Sequence, residues 1–138
     1  MVRRDARAAD RAPDNGAAVV EFVLVGLLLL FVFLGVVQVG LVLHTRNVLA
    51  ADAAEGARHA ANLGVDPSSG GPWTQALIAH SLAGAAREVR CTGGSTVGPG
   101  GLPLATVTCD GRMRLTFLPL GVSVPLHVTA RAVKETAQ

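Results

Sequence analysis

The feature that most constrains this chain is an uninterrupted apolar run from Ala17 to Leu43, in which Glu21 and Gln38 are the only strongly polar side chains. A helix rises about 1.5 Å per residue and the hydrocarbon core of a bilayer is about 30 Å thick, so about 20 apolar residues span it. The run is longer than this, whereas the apolar region of a cleaved secretory signal has roughly 7 to 15 residues. The sequence therefore predicts a single transmembrane helix.

The distribution of charge predicts which way this helix points. Four arginines precede the apolar run: Arg3, Arg4, Arg7 and Arg11. After the run, Arg46 and Arg58 are accompanied by Asp52 and Glu55. Because cytoplasmic flanks carry the excess of basic residues, the N-terminus is predicted to stay in the cytoplasm and the part after Leu43 to be exported. The short polar segment before the run is predicted to be a disordered leader.

Composition and motifs argue against several classes of function. The net charge is +2 and no basic stripe with interleaved aromatic residues is present, which argues against nucleic acid binding. The chain has no Gly-x-Ser-x-Gly elbow, no HExxH motif and no phosphate-binding loop. His44 and His80 are interpreted as packing or surface residues. We therefore expect no enzyme activity, no catalytic residue and no cofactor.

Two cysteines, Cys91 and Cys109, lie in the C-terminal half. They cannot supply the four ligands of a structural zinc site, and His80 and His127 do not fall at ligand spacing from them. No metal site is therefore expected. If this half is exported, a Cys91–Cys109 disulfide is the favoured interpretation, and two buried free thiols are the alternative.

Glu21 is the most informative single residue, because it places a carboxylate inside the apolar run. An ionised side chain at the centre of a spanning helix costs on the order of 2.5 to 3.5 kcal/mol on insertion scales, and less near an edge. One interpretation is that Glu21 only extends toward the cytoplasmic interface. The other is that the carboxylate has a function that requires its position.

The residues around Glu21 favour the second interpretation. A polar leader ends at Gly16, and Ala17-Ala18-Val19-Val20 separate it from Glu21-Phe22. This order resembles the prepilin peptidase site of type IV pilins, particularly the type IVb Flp and TadE-like branch. The resemblance implies cleavage after Gly16, with Ala17 as the new N-terminus and Glu21 as the fifth residue of the processed chain.

The resemblance to TadE-like proteins of tight-adherence (Tad) pilus systems extends from Gly16 to Ala61. It rests on the AAVVEF opening, the leucine-rich middle and three later groups: Gln38-Val39-Gly40, Thr45-Arg46-Asn47 and Ala53-Ala54-Glu55-Gly56-Ala57-Arg58. Two positions depart from the family pattern, because many members have a proline where this chain has Gly26 and an acidic residue where it has Gln38. The family implies that the Glu21 carboxylate pairs with the processed amino terminus of a neighbouring subunit, which couples assembly to processing.

The sequence divides into four segments: a leader at 1–16, a transmembrane helix at 17–43, a helical extension at 44–63 and a small extracytoplasmic α+β domain at 64–138. No proline interrupts Ala17 to Asn62, so the helix is expected to continue past the bilayer as a stalk. Its outer part is rich in alanine. This composition permits close packing against the chain's own domain or a neighbouring helix, or reflects helix propensity alone.

The outer domain is predicted to contain a second helix, Trp73 to Glu88, after a loop from Asp66 to Pro72. The predicted strands are Val89 to Thr92, Leu104 to Cys109, Arg112 to Phe117 and Val122 to Lys134. A glycine-rich turn from Gly93 to Pro103 separates the first two, and Asp110-Gly111 is predicted to form a hairpin turn between the second and third. Pro125 suggests that the last strand lies at an edge or contains a bulge. The expected architecture is pilin-like α+β, with a small antiparallel sheet.

Two functions from different classes follow. The favoured one is a TadE-like pseudopilin or minor pilin that acts in assembly of a type IVb pilus or related secretion filament. Its expected partners are a prepilin peptidase, other pilin-like or Tad membrane subunits and the lipid bilayer. The alternative is an uncleaved single-pass membrane protein whose outer domain binds an envelope partner. A weaker third hypothesis is a domain released by signal peptidase near Ala51.

Overall fold

The structure is a computed structural model that describes residues 15–82, 88–114 and 123–136. The elements in chain order are α1 (Asn15–Ala61), a 3₁₀ turn (Pro67–Ser69), α2 (Gly70–Ser81), β1 (Arg90–Val97), a short second 3₁₀ segment (Pro99–Gly101), β2 (Pro103–Arg114) and β3 (Ser123–Val133). The predicted α+β class, with one long apolar helix, a second helix and an antiparallel sheet, is confirmed. The chain divides into two compact units, residues 1–36 and 37–138.

In the first unit the described residues form the apolar part of α1, and their side chains are exposed almost throughout. Phe22 is 78 % exposed and Phe31 is 63 % exposed, values that a soluble core helix does not show. The helix is long and apolar enough to cross a membrane, and none of its most apolar window is buried. An apolar surface of this extent requires lipid or other apolar partners.

In the second unit, the last part of α1 supplies one side of the core. Leu49, Ala53 and Ala57 are fully buried in a cluster with residues of α2, β2 and β3, and with Val89. The alanines of this part therefore pack against the chain's own domain, which decides between the explanations left open by the sequence. Small side chains are required there because α2 lies very close: a Cβ on Gly56 would overlap Thr74 of α2 and lie 2.9 Å from the Gly70 carbonyl oxygen.

The sheet has the order β1-β2-β3, and both pairings are antiparallel. The predicted hairpin at Asp110-Gly111 is wrong, because β2 continues through these residues without a turn. Asp110 lies opposite Arg90 on one side and His127 on the other. Gly111 is needed for close approach instead: a Cβ there would lie 2.7 Å from Val89 Cγ2 and 2.8 Å from the Glu88 carbonyl oxygen. The predicted end of that strand at Phe117 lies outside the described residues.

The glycine-rich segment is also divided differently from the prediction. β1 continues through Gly93 to Val97, where the prediction placed a turn from Gly93 onward. Gly93 packs against the 3₁₀ turn, and a Cβ would lie 2.6 Å from the Pro67 carbonyl oxygen. Within the glycine-rich segment, Gly100 and Gly101 adopt the left-handed region, with φ of 73° and 78°, at the turn that leads into β2.

The boundaries of the remaining elements differ by a few residues. α2 begins at Gly70 rather than Trp73. The predicted end of this helix at Glu88 is wrong, because α2 ends at Ser81 and Glu88 lies in a turn before β1; residues 83–87 lie outside the described part of the chain. The last strand is confirmed as β3, and its predicted first residue, Val122, also lies outside that part.

Cys91 and Cys109 form a disulfide between directly opposed positions of β1 and β2, with a Cα–Cα distance of 4.1 Å. The pairing favoured from the sequence is thus confirmed, and it joins the first two strands as expected. Cys109 is fully buried and contributes to the core.

The chain after β3 is tied to the end of α1. The backbone N–H of Glu135 donates to the Ala61 carbonyl oxygen at 2.8 Å, and its carboxylate accepts from the Leu63 N–H at 3.3 Å. Lys134 Nζ donates to the Val65 carbonyl oxygen at 3.3 Å. The first of these contacts satisfies a carbonyl group that the end of α1 leaves unpaired, and the other two satisfy backbone groups of the segment that follows it.

Candidate processing and assembly site

The predicted cleavage site, Gly16 and Ala17, lies in the first turn of α1 as the structure describes it. A Cβ on Gly16 would meet nothing within 4 Å, unlike one on Gly56. Packing in the described chain therefore does not explain why residue 16 is a glycine.

Glu21 and Phe22 lie one turn further along α1, both exposed. Within residues 15–82, 88–114 and 123–136, the Glu21 carboxylate makes no hydrogen bond or ion pair. Positions one turn away on the same helix face include Ala17, Leu24 and Val25, which are exposed and apolar. The structure thus places a carboxylate on an open apolar surface, together with the most exposed large apolar side chain of the described residues, Phe22.

The second polar position of the apolar run is different. Gln38 is 5 % exposed and belongs to the second unit, where Thr45 is buried to the same degree. Gln38 is therefore part of this chain's own packing and does not face lipid. Many TadE-like proteins have an acidic residue at the position of Gln38, and in this chain that position is buried.

Polar pairs outside α1 were not predicted from the sequence, because they depend on strand register and helix packing. His127 Nδ1 lies 2.5 Å from Asp110 Oδ1, and His127 Nε2 lies 3.5 Å from Thr129 Oγ1. The histidine and aspartate side chains are about two-thirds exposed on the outer face of the sheet. This arrangement of aspartate, histidine and hydroxyl lies on an exposed surface. It therefore lacks the exclusion of water and the oxyanion donors that hydrolysis requires.

Two contacts join α1 to α2. The His59 and Trp73 rings stack with their centroids 4.0 Å apart, and Ser81 Oγ donates to Asp52 Oδ2 at 2.5 Å. The sequence gave no indication of these partners. Both contacts stabilise the packing of the two helices.

The remaining electrostatic features are local. The Ser68 N–H donates to Asp66 Oδ1 at 2.8 Å and lowers the pKa of that carboxyl group, with a further contribution from the Ser68 side chain. This contact caps the 3₁₀ turn that leads into α2. Among the described residues, no group of three or more histidine, cysteine, aspartate or glutamate side chains could hold a metal ion.

Gln75 of α2 is a positioning residue that sequence inspection missed. Its Nε2 donates to the Val89 carbonyl oxygen at 2.9 Å, and its Oε1 accepts from the Cys91 N–H at 3.1 Å. One side chain thus satisfies the backbone of β1 as a neighbouring strand would. The outer edge of β1 is covered at this point.

Comparison with known families bears on the N-terminal site. Residues 16–58 match the model of the TadE-like protein family. The matched range begins at Gly16, contains Glu21 and Phe22, and ends within α1. No curated protein and no solved structure matches the chain. The resemblance predicted from the sequence is thereby confirmed, and residues 16–58 of this chain are a TadE-like segment.

Proposed function

We propose that the protein is a TadE-like pseudopilin or minor pilin, processed by a prepilin peptidase after Gly16 and acting in assembly of a type IVb (Tad) pilus or a related secretion filament. The observation that carries the proposal is the TadE-like match over residues 16–58, which begins at the proposed cleavage site. The exposed apolar surface of α1 supports a membrane-anchored protein. The charge bias of the sequence supports a leader in the cytoplasm and a sheet outside it.

The proposed chemistry is hydrolysis of the Gly16–Ala17 amide. The products are a carboxylate on Gly16 and a free amine on Ala17, which is protonated at neutral pH. Glu21 is then four residues from a new positive charge, on the same helix face. Pairing of Glu21 with this amine, in its own or a neighbouring chain, neutralises both charges in an apolar environment. Only the processed chain can form the pair.

The alternative is an uncleaved membrane-anchored protein whose outer domain binds an envelope partner. It is supported by the second unit, which has its own core, disulfide and exposed sheet face. Release by signal peptidase near Ala51 agrees less well with the structure, because a cut there separates the fully buried Leu49 from Ala53 of the same core.

The first test is intact-mass analysis of the membrane-extracted protein expressed beside a prepilin peptidase. We expect a mature chain that begins at Ala17, and loss of processing in a Gly16→Leu variant. Gly26→Leu is the matched control, because a Cβ at Gly26 also meets nothing within 4 Å, so this variant should be processed normally. An unprocessed wild-type chain beside an active peptidase would support the uncleaved alternative.

A further inference from the structure

The sheet has two edges, and the structure treats them differently. β1 is covered by Gln75 at Val89 and Cys91, and by the close contact of Gly93 with the 3₁₀ turn. β3 pairs with β2 on one side, and none of the described strands pairs with its other side. β3 therefore presents a free edge within the described part of the chain.

The backbone groups on that free edge can be assigned from the register. The short Cα–Cα distance of 4.1 Å between Cys91 and Cys109 is typical of an antiparallel pair that exchanges no backbone hydrogen bonds. The N–H and C=O groups of Cys109 therefore point away from β1 and toward Val128 of β3. The direction of the backbone N–H and C=O groups alternates along a strand. These groups therefore point toward β2 at Val128 and Ala130, and toward the free edge at His127 and Thr129. The Lys134 N–H, which donates to the Pro103 carbonyl oxygen at 2.9 Å, agrees with this assignment.

The outward groups form a regular array. Arg131 and Val133 follow His127 and Thr129 on the free edge, and Pro125 precedes them with its nitrogen, which lacks a hydrogen, also facing outward. The β2–β3 register is continuous from Leu104↔Val133 to Arg114↔Ser123, so this ladder has no bulge. Exposed edges are usually blocked by bulges, prolines or charges. Here Pro125 blocks one end, and Arg131 is the one lysine or arginine from His127 to Val133, so the backbone N–H groups of this part of the edge stay available.

A second copy of the chain fits this edge poorly. Ala60 and Ala61 at the end of α1 cluster with Ala132 at the end of β3, and Glu135 bonds to Ala61, so the last part of α1 runs in the same direction as β3. Antiparallel pairing of two β3 edges would therefore run the last parts of the two α1 helices in opposite directions, whereas the proposed topology inserts every copy in the same direction. Parallel pairing would turn the second sheet over and place its apolar face beside the polar face of the first.

We infer that the free edge of β3, from His127 to Val133, accepts an extended segment of a different polypeptide that carries an acidic residue opposite Arg131. Arg131 is exposed on the outer face, and among the described residues it has no carboxylate partner, whereas Arg114 on the same face pairs with Glu88 at 3.2 Å. On the inner face, the half-buried Val128, Ala130 and Ala132 favour small apolar residues in the added strand. The inference does not depend on cleavage at Gly16.

The test uses the full chain in detergent micelles and a fluorescent nine-residue peptide of alternating threonine and valine with a central glutamate. We expect the peptide to bind, and a twin with lysine in place of glutamate to bind about fivefold more weakly. Arg131→Glu should reverse this preference. Arg90→Glu, which changes a charge on the same face but on β1, should leave the preference unchanged.

Two further measurements test whether binding uses the backbone edge. Thr129→Pro removes an outward N–H without breaking the β2–β3 ladder, so thermal unfolding should be nearly unchanged while binding falls at least tenfold. N-methylation of alternate peptide residues should abolish binding without any change to the protein. Equal binding of both peptides, full binding by Thr129→Pro, or β3-dependent dimerisation of the wild-type chain in sedimentation velocity would overturn the inference.

Discussion

At the scale of single residues, glycines of one helix have different tasks. Gly56 allows α1 to approach α2 closely, because a Cβ there would overlap Thr74 and lie 2.9 Å from the Gly70 carbonyl oxygen. Gly40 lies in the same helix, and a Cβ there would meet nothing within 4 Å. The sequence alone does not separate these glycines, because the difference depends on what packs against each helix face.

The expected consequence is that Gly56→Ala destabilises the second unit although alanine is the better helix former. Overpacking of a tight contact costs about 1–3 kcal/mol, more than the helix propensity gained. Urea unfolding in micelles can be followed by the fluorescence of Trp73, the only tryptophan of the chain, which stacks on His59 at this junction. Gly40→Ala is the control and should change stability by less than about 1 kcal/mol. Equal effects of the two changes would contradict the assigned contact.

At the scale of elements, the disulfide is the main covalent support of the sheet. It links β1 to β2, and closing a loop of this size stabilises the fold by roughly 3 kcal/mol in the chain-entropy model. We expect a Cys91→Ala, Cys109→Ala double variant to lose roughly this amount, with faster amide hydrogen exchange in β1 than in β3. A uniform increase of exchange across all three strands would show that the sheet depends on the bond as a whole.

The elements also show how far the sequence determines this fold. The length and apolar content of α1, and the alternation in β3, were sufficient to predict both elements. The hairpin at Asp110-Gly111 was wrong because Asp-Gly is a local turn signal, whereas Gly111 serves a contact with Val89 that depends on tertiary packing. The proposed processing site is a linear pattern and can be recognised from the sequence, whereas the Asp110–His127 pair and the bridging role of Gln75 depend on tertiary packing and cannot.

At the scale of the whole molecule, the chain combines a folded, disulfide-linked unit with an apolar surface that nothing in the described structure covers. The second unit has a buried core of its own. Glu21 makes no polar contact among the described residues, and an ionised carboxylate in an apolar environment is costly. The proposed function therefore makes this carboxylate a determinant of association rather than of folding.

This distinction predicts different outcomes for two measurements on Glu21→Gln. Urea unfolding of the second unit should match that of the wild type, and cleavage after Gly16 should continue. Co-purification of other pilin-like subunits from crosslinked membranes should fall at least tenfold, because the amide cannot neutralise a neighbouring amine. Glu55→Gln, which removes an exposed carboxylate that pairs with Arg58 at 3.3 Å, is the control and should leave co-purification intact. If Glu21→Gln assembles like the wild type, the carboxylate only extends to the membrane interface, and the case for pilin-like assembly loses its chemical basis.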